Sequence, residues 1–216
     1  MHCAECRQAL QGSGRKLAKE IEQKFPACEC EKFSIGEKSP GKIADDEILY
    51  RMFVDPVDVE DGRLARAAFS KVYQDGLSII RDCANDLEIE ALATDILSTK
   101  PGQRTKTVLA IFKFVCRKVR QETVKLGDEF VRAFCVYDQT VPRVFERGPP
   151  VPTHGTVLSR RLYELPITTR QFENDCNFTL HQIVATERVS VEEFRGGLIA
   201  RLNERSVAGE FVRQTH

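Results

Sequence analysis

The densest apolar patterning in the chain begins at Glu47, in the run Glu-Ile-Leu-Tyr-Arg-Met-Phe-Val. Ile48, Tyr50, Met52 and Val54 fall on one face, and Leu49, Arg51 and Phe53 on the other, which is the period of a strand. Asp55-Pro56 stops it, and Asp58, Glu60, Asp61 and Gly62 form an acidic turn. Gly76-Leu-Ser-Ile-Ile predicts a second strand. Asp82 or Asn85 then caps a helix with Leu87, Ala91, Leu92 and Ile96 on one face, ended by Lys100-Pro101-Gly102. Thr105–Arg120 fits both periods. Val108, Ile111, Phe112, Val115 and Val119 suit a helix, while its β-branched and aromatic content favours a strand, paired through Lys125-Leu-Gly-Asp with Phe130–Tyr137. Thr156-Val-Leu-Ser predicts a further strand. Two helices close the chain. One starts at Thr168 or Thr169 and carries Phe172, Cys176, Leu180, Ile183 and Val184 inward. The capping box Ser190-Val-Glu-Glu193 opens the other, with Phe194, Leu198 and Leu202 inward and Gly196-Gly197 inside it.

These elements predict an α+β fold: a small helical N-terminal unit on a mixed β-sheet domain with C-terminal helices. Residues 1–32 form the cysteine-rich unit, 33–46 a linker rich in turn-forming and charged residues, and 47–216 the main domain. Within the first unit, Leu10, Leu17, Ala18, Ile21 and Phe25 recur at helical intervals, and Gly12-Ser-Gly14 supplies a bend.

The eight cysteines sharpen that division. Cys83, Cys116, Cys135 and Cys176 are scattered singly, Cys116 and Cys135 in apolar surroundings, and read as small buried hydrophobes. Cys3-x-x-Cys6 instead has the spacing of a zinc knuckle, and Cys28-x-Cys30 follows Pro26. A bent helix would bring Cys3, Cys6, Cys28 and Cys30 around one structural zinc, with His2 as a substitute ligand; a cysteine-bearing helix without metal is the plainer alternative.

Charge changes the picture only locally. The 32 basic and 32 acidic residues cancel, so net charge selects no polyanion. Yet Lys100, Arg104, Lys106, Lys113, Arg117, Lys118, Arg120 and Lys125 face Glu122 alone in their stretch, and the opening of the main domain is correspondingly acidic. Arg104, Lys106, Lys113, Arg117, Lys118 and Arg120 are the candidate phosphate or nucleic-acid contacts. Pairing of the basic stretch with the acidic one is the alternative. No apolar run reaches the roughly 18 residues of a membrane span, and the N-terminus lacks the pattern of a secretory signal, so a cytoplasmic protein without membrane contact is expected.

Candidate chemistry gathers at three residues. Arg51 is a charge within an apolar strand, so it must lie in water along an edge, find a partner, or clamp an anion in a cleft. Ser78 lies in the second strand, and the proline-rich segment 138–156 delivers His154 to the start of a third. Meeting in one cleft, Arg51, Ser78 and His154 would suit NAD or a related nucleotide. That arrangement resembles ADP-ribosyltransferase-like folds in outline, although the acidic motif usual in those enzymes is not identifiable here. P-loop, dinucleotide, nucleophile-elbow and zinc-protease signatures are absent from the chain. The reading favoured by the sequence is therefore a zinc-stabilised interaction module, an accessory component of a larger protein or nucleoprotein assembly with a protein partner. A small ADP-ribosyltransferase-like enzyme is the alternative.

Overall fold

The computed structural model describes residues 4–11, 17–18, 20–21, 24, 29–34, 38–61, 63–126, 128–140, 151–160 and 169–212. The chain is α+β, as its pattern predicts. Its strands are β1 (Ile48–Asp55), β2 (Val59–Glu60), β3 (Arg63–Leu64), β4 (Leu77–Arg81), β5 (Thr107–Val115), β6 (Thr123–Leu126), β7 (Glu129–Arg132), β8 (Phe134–Asp138), β9 (His154–Ser159) and β10 (Glu187–Val189). The helices are α1 (Ala4–Gln11), α2 (Asp86–Leu97), α3 (Cys116–Arg120), α4 (Thr169–Val184) and α5 (Leu198–Val207). Six strands form one sheet in the order β10-β5-β1-β4-β9-β8, with every neighbouring pair antiparallel.

Alternation along β1 gives the sheet its two faces. Leu49 and Phe53, with Leu77, Ile79, Phe112, Phe134 and Val157, pack beneath α4 and the 3-10 helix Arg66–Tyr73. Phe53 meets both Phe69 and Phe112 edge to face, at 5.2 and 5.5 Å. On the opposite face, Met52, Val54, Ile80 and Ile111 pack under α2 and α5. Farther along that face, Cys135, Tyr137 and Leu158 of β8 and β9 receive Cys6, Leu10, Leu17, Ala18, Ile21 and Cys30 of the N-terminal unit. That unit is thus docked on the sheet. Burying each large side chain here contributes roughly 1.5–3 kcal/mol.

Both rims of the sheet are finished by side chains. Past the end of β10, the Asn203 amide of α5 accepts from Val108 N and donates to Val108 O, at 2.8 and 2.9 Å, as a neighbouring strand would. At the far rim, Glu31 accepts from Val136 N at 3.1 Å, while Arg120 donates to Val136 O at 3.0 Å. Residues 38–42 also lie against the sheet. Buried Arg81 donates to Gly41 O, Lys42 O and the Glu47 carboxylate, and Asp138 accepts from Ser34 and Ser39.

Four expectations need correction. The turn at Lys125 does form a hairpin, but it joins β6 to β7, whereas β5 pairs with β1 and β10. Strand pairing across the sheet is set by long-range burial, which a local turn signal does not report. Leu87 is 76 % exposed; Ile89, Leu92, Ala93 and Leu97 form the buried face of α2. The last helix begins at Leu198, because Ser190 engages Glu192 in a local turn and Gly197, at φ 78°, stands at the N-cap. Arg51 lies in β1, a central strand, so it is no edge residue in water.

Candidate functional site

Arg51, Ser78 and His154 lie on the adjacent strands β1, β4 and β9, but not in one cleft, because Arg51 is on the Leu49 and Phe53 face of the sheet. β4 pairs with β1 only over Leu49–Tyr50 and Ile80–Arg81. Beyond that point the Arg51 side chain bridges the two strands, donating from Nη1 to Ser78 O at 3.1 Å. Its Nη2 lies 3.7 Å from Asp58 Oδ2, and its Cζ lies over the Phe53 ring. Asp58, buried at the turn after β1, also accepts from Val54 N at 3.0 Å. The guanidinium is therefore neutralised inside the protein. It braces two strands instead of facing a ligand.

Ser78 and His154 point to the other face of the sheet. His154 Nδ1 lies 3.2 Å from Gln139 O, and because a carbonyl only accepts, the proton belongs on Nδ1. Nε2 is then free to accept from Ser78 Oγ at 2.6 Å. Such a tautomer-locked pair is the geometry of an activated hydroxyl. The electrostatics oppose it. Burial, reinforced by the Arg51 cation and only partly offset by the Gln139 hydrogen bond, pushes the imidazole down to about 4. His154 is neutral at physiological pH, and a proton taken from Ser78 would create a second cation beside Arg51.

The candidate zinc ligands are only partly described. Cys3 and Cys28 lie outside the described residues, whereas Cys6 and Cys30 are buried in the apolar cluster that holds Cys135. Among the described residues, no three His, Cys, Asp or Glu side chains are grouped to hold a metal ion.

The basic stretch separates into two kinds of residue. Arg104 pairs with Asp55, Lys113 pairs with Glu187, and Lys106 donates to Ile96 O and Ser98 O at the end of α2. Acidic and basic stretches thus meet in part, as the alternative reading expects. Arg117 and Lys118 of α3 remain exposed. On the same helix, Arg120 donates to Ile43 O, Asp45, Glu31 O and Val136 O.

Sequence reasoning missed what Arg120 helps to build. Arg132 of β7 grips the buried Glu31 carboxylate through Nη1 and Nη2, and donates from Nε to Arg120 O. Around these two arginines lies a pocket of about 470 Å³, which Lys32 and Lys42 also line. The cations come from four separate parts of the chain, so no local motif announces them.

Among the described residues, no helix is long and apolar enough to cross a membrane. No protein-family profile matches the chain, and neither a curated protein nor a solved structure does so.

Proposed function

We propose that the protein is an accessory interaction module of a nucleoprotein assembly, which meets the nucleic-acid component with the basic face around α3. One observation carries this reading. In a chain of zero net charge, Arg117 and Lys118 are exposed on α3, the helix whose Arg120 lines a pocket with Lys32, Lys42 and Arg132 and the carboxylates of Glu31 and Asp45. Cations concentrated on one face neutralise phosphates and release counterions. A structural zinc on Cys3, Cys6, Cys28 and Cys30 belongs to the same proposal, since it would fix the unit that supplies Lys32.

Fluorescence anisotropy with a labelled mixed-sequence single strand tests it. R117E/K118E should weaken binding at least about tenfold and lower the salt slope by roughly 1.4. Equal binding by this variant and the wild type would overturn the reading.

A second reading, an enzyme that binds NAD or a related nucleotide at Arg51, Ser78 and His154, is favoured by the 2.6 Å contact between Ser78 and His154. Neutralisation of Arg51 by Asp58 and the weak basicity of His154 count against it. Calorimetric titration with NAD, compared in the wild type and S78A, decides between them; heat of binding lost in S78A would favour the enzyme.

A further inference from the structure

The pocket at the α3 end carries a more specific proposal, which rests on the nucleic-acid reading above. Its volume, about 470 Å³, lies within the range of small-molecule sites and exceeds what a phosphate group alone would fill. Four cationic side chains line it, Lys32, Lys42, Arg120 and Arg132, against the carboxylates of Glu31 and Asp45. How those charges are used matters more than their number. Glu31 is consumed internally, held by both terminal nitrogens of Arg132 and by Val136 N. Asp45 accepts from Arg120. The two arginines and two carboxylates therefore form a fixed, balanced wall.

The lysines are different. Lys42 is exposed, and although its backbone carbonyl accepts from Arg81, its ammonium group has no hydrogen bond or ion pair among the described residues. Among the described residues Lys32 pairs only with Glu29, and both side chains are more than half exposed, so solvent screens that contact and a stronger anion can replace it. Two lysine ammonium groups over a balanced wall match the charge of a phosphate monoester dianion, and lysine binds phosphate as a point charge. Beyond them, Gln121 offers an exposed amide and Ala44 an apolar surface. These can accommodate a nucleoside next to the phosphate.

We propose that this pocket binds the terminal phosphate monoester of a nucleotide, with Lys42 and Lys32 holding the phosphate and Gln121 contacting the nucleoside. Free mononucleotide and the 5′-phosphorylated end of a nucleic-acid strand share this chemistry.

Isothermal titration of the full chain with AMP, adenosine, and one oligonucleotide with and without its 5′-phosphate provides the test. AMP should bind one to one, and adenosine should give no saturable heat. K42A/Q121A alters two exposed side chains and should weaken AMP at least about tenfold while leaving the melting temperature unchanged. Absence of AMP binding at millimolar concentration, or equal AMP affinity in this variant, would overturn the proposal. Tighter binding of the 5′-phosphorylated strand than of its unphosphorylated twin identifies a strand end as the source; equal binding of the two strands, with AMP bound, identifies the free nucleotide. R117E/K118E separates this site from the broader face: oligonucleotide binding equal to that of the wild type in that variant overturns the nucleic-acid reading alone, whereas AMP binding there reports on the pocket.

Discussion

The Ser78 hydroxyl donates to Nε2 of His154 at 2.6 Å, and this contact joins β4 to β9 through an imidazole that stays uncharged. The pair has the layout of a nucleophile and its base, yet its surroundings suit it to holding strands in register.

Acid should expose that role. An unfolded histidine binds its proton near pH 6.5, whereas buried His154 resists until about 4. Below pH 6.5 the unfolded state therefore takes up more protons, so this contribution is complete above that value and lost as pH falls toward 4. Urea unfolding should show His154 giving up about 2 kcal/mol between pH 7 and pH 5. H154Q, compared with the wild type at both pH values, should lack that share. Identical pH dependence in the two proteins would mean that the imidazole takes up its proton in the fold as readily as in the unfolded chain.

Arg51 and Asp58 make a second test. Removing one partner of a buried pair strands the other, at a cost of about 3–5 kcal/mol. R51M should therefore unfold at much lower denaturant, and R51M/D58N should recover part of the loss. A ligand clamp would behave differently, with R51M folding normally and losing only nucleotide binding.

Elemental analysis of freshly reduced protein should find one equivalent of zinc, lost in C3S/C6S along with part of the thermal stability, as expected when metal binding is coupled to folding. Metal-free wild type of full stability would remove the zinc from the proposal.

Helix capping offers a smaller effect. Asn85 accepts from Glu88 N while Glu88 accepts from Asn85 N, each at 3.0 Å. N85A should cost about 1 kcal/mol in chemical denaturation, and L87A, at an exposed position, should change little.

Local physics was legible in the sequence and long-range pairing was not. The two faces of β1, and Asn85 as one of the two caps open to α2, could be read because each depends on residues within a turn or two. That Arg51 and Ser78 lie on strands was also readable, whereas pairing does not bring Arg51 to the same sheet face as Ser78 and His154. Asp58 as the partner of Arg51 was not, because it requires knowing which way the turn after β1 folds. The pocket was hidden most deeply. Lys42 belongs to a segment that reads as linker, and the pinning of that segment by Arg81, Asp138 and Arg120 itself brings it to the pocket. Likewise Ser190 offered a plausible cap, but Gly197 at positive φ moved the helix start.

The amide of Asn203 on β5 and the Glu31 and Arg120 side chains on β8 have a consequence for how copies of this protein behave when crowded. A bare strand rim invites another chain to add itself, the first step toward fibrous aggregates. Here Val108 and Val136, one at each rim, have both backbone polar groups already taken. N203L would free the Val108 pair, and its solutions should turn turbid at concentrations where the wild type stays clear. These three side chains act as stoppers against polymerisation, so their value to the protein exceeds the hydrogen bonds they make.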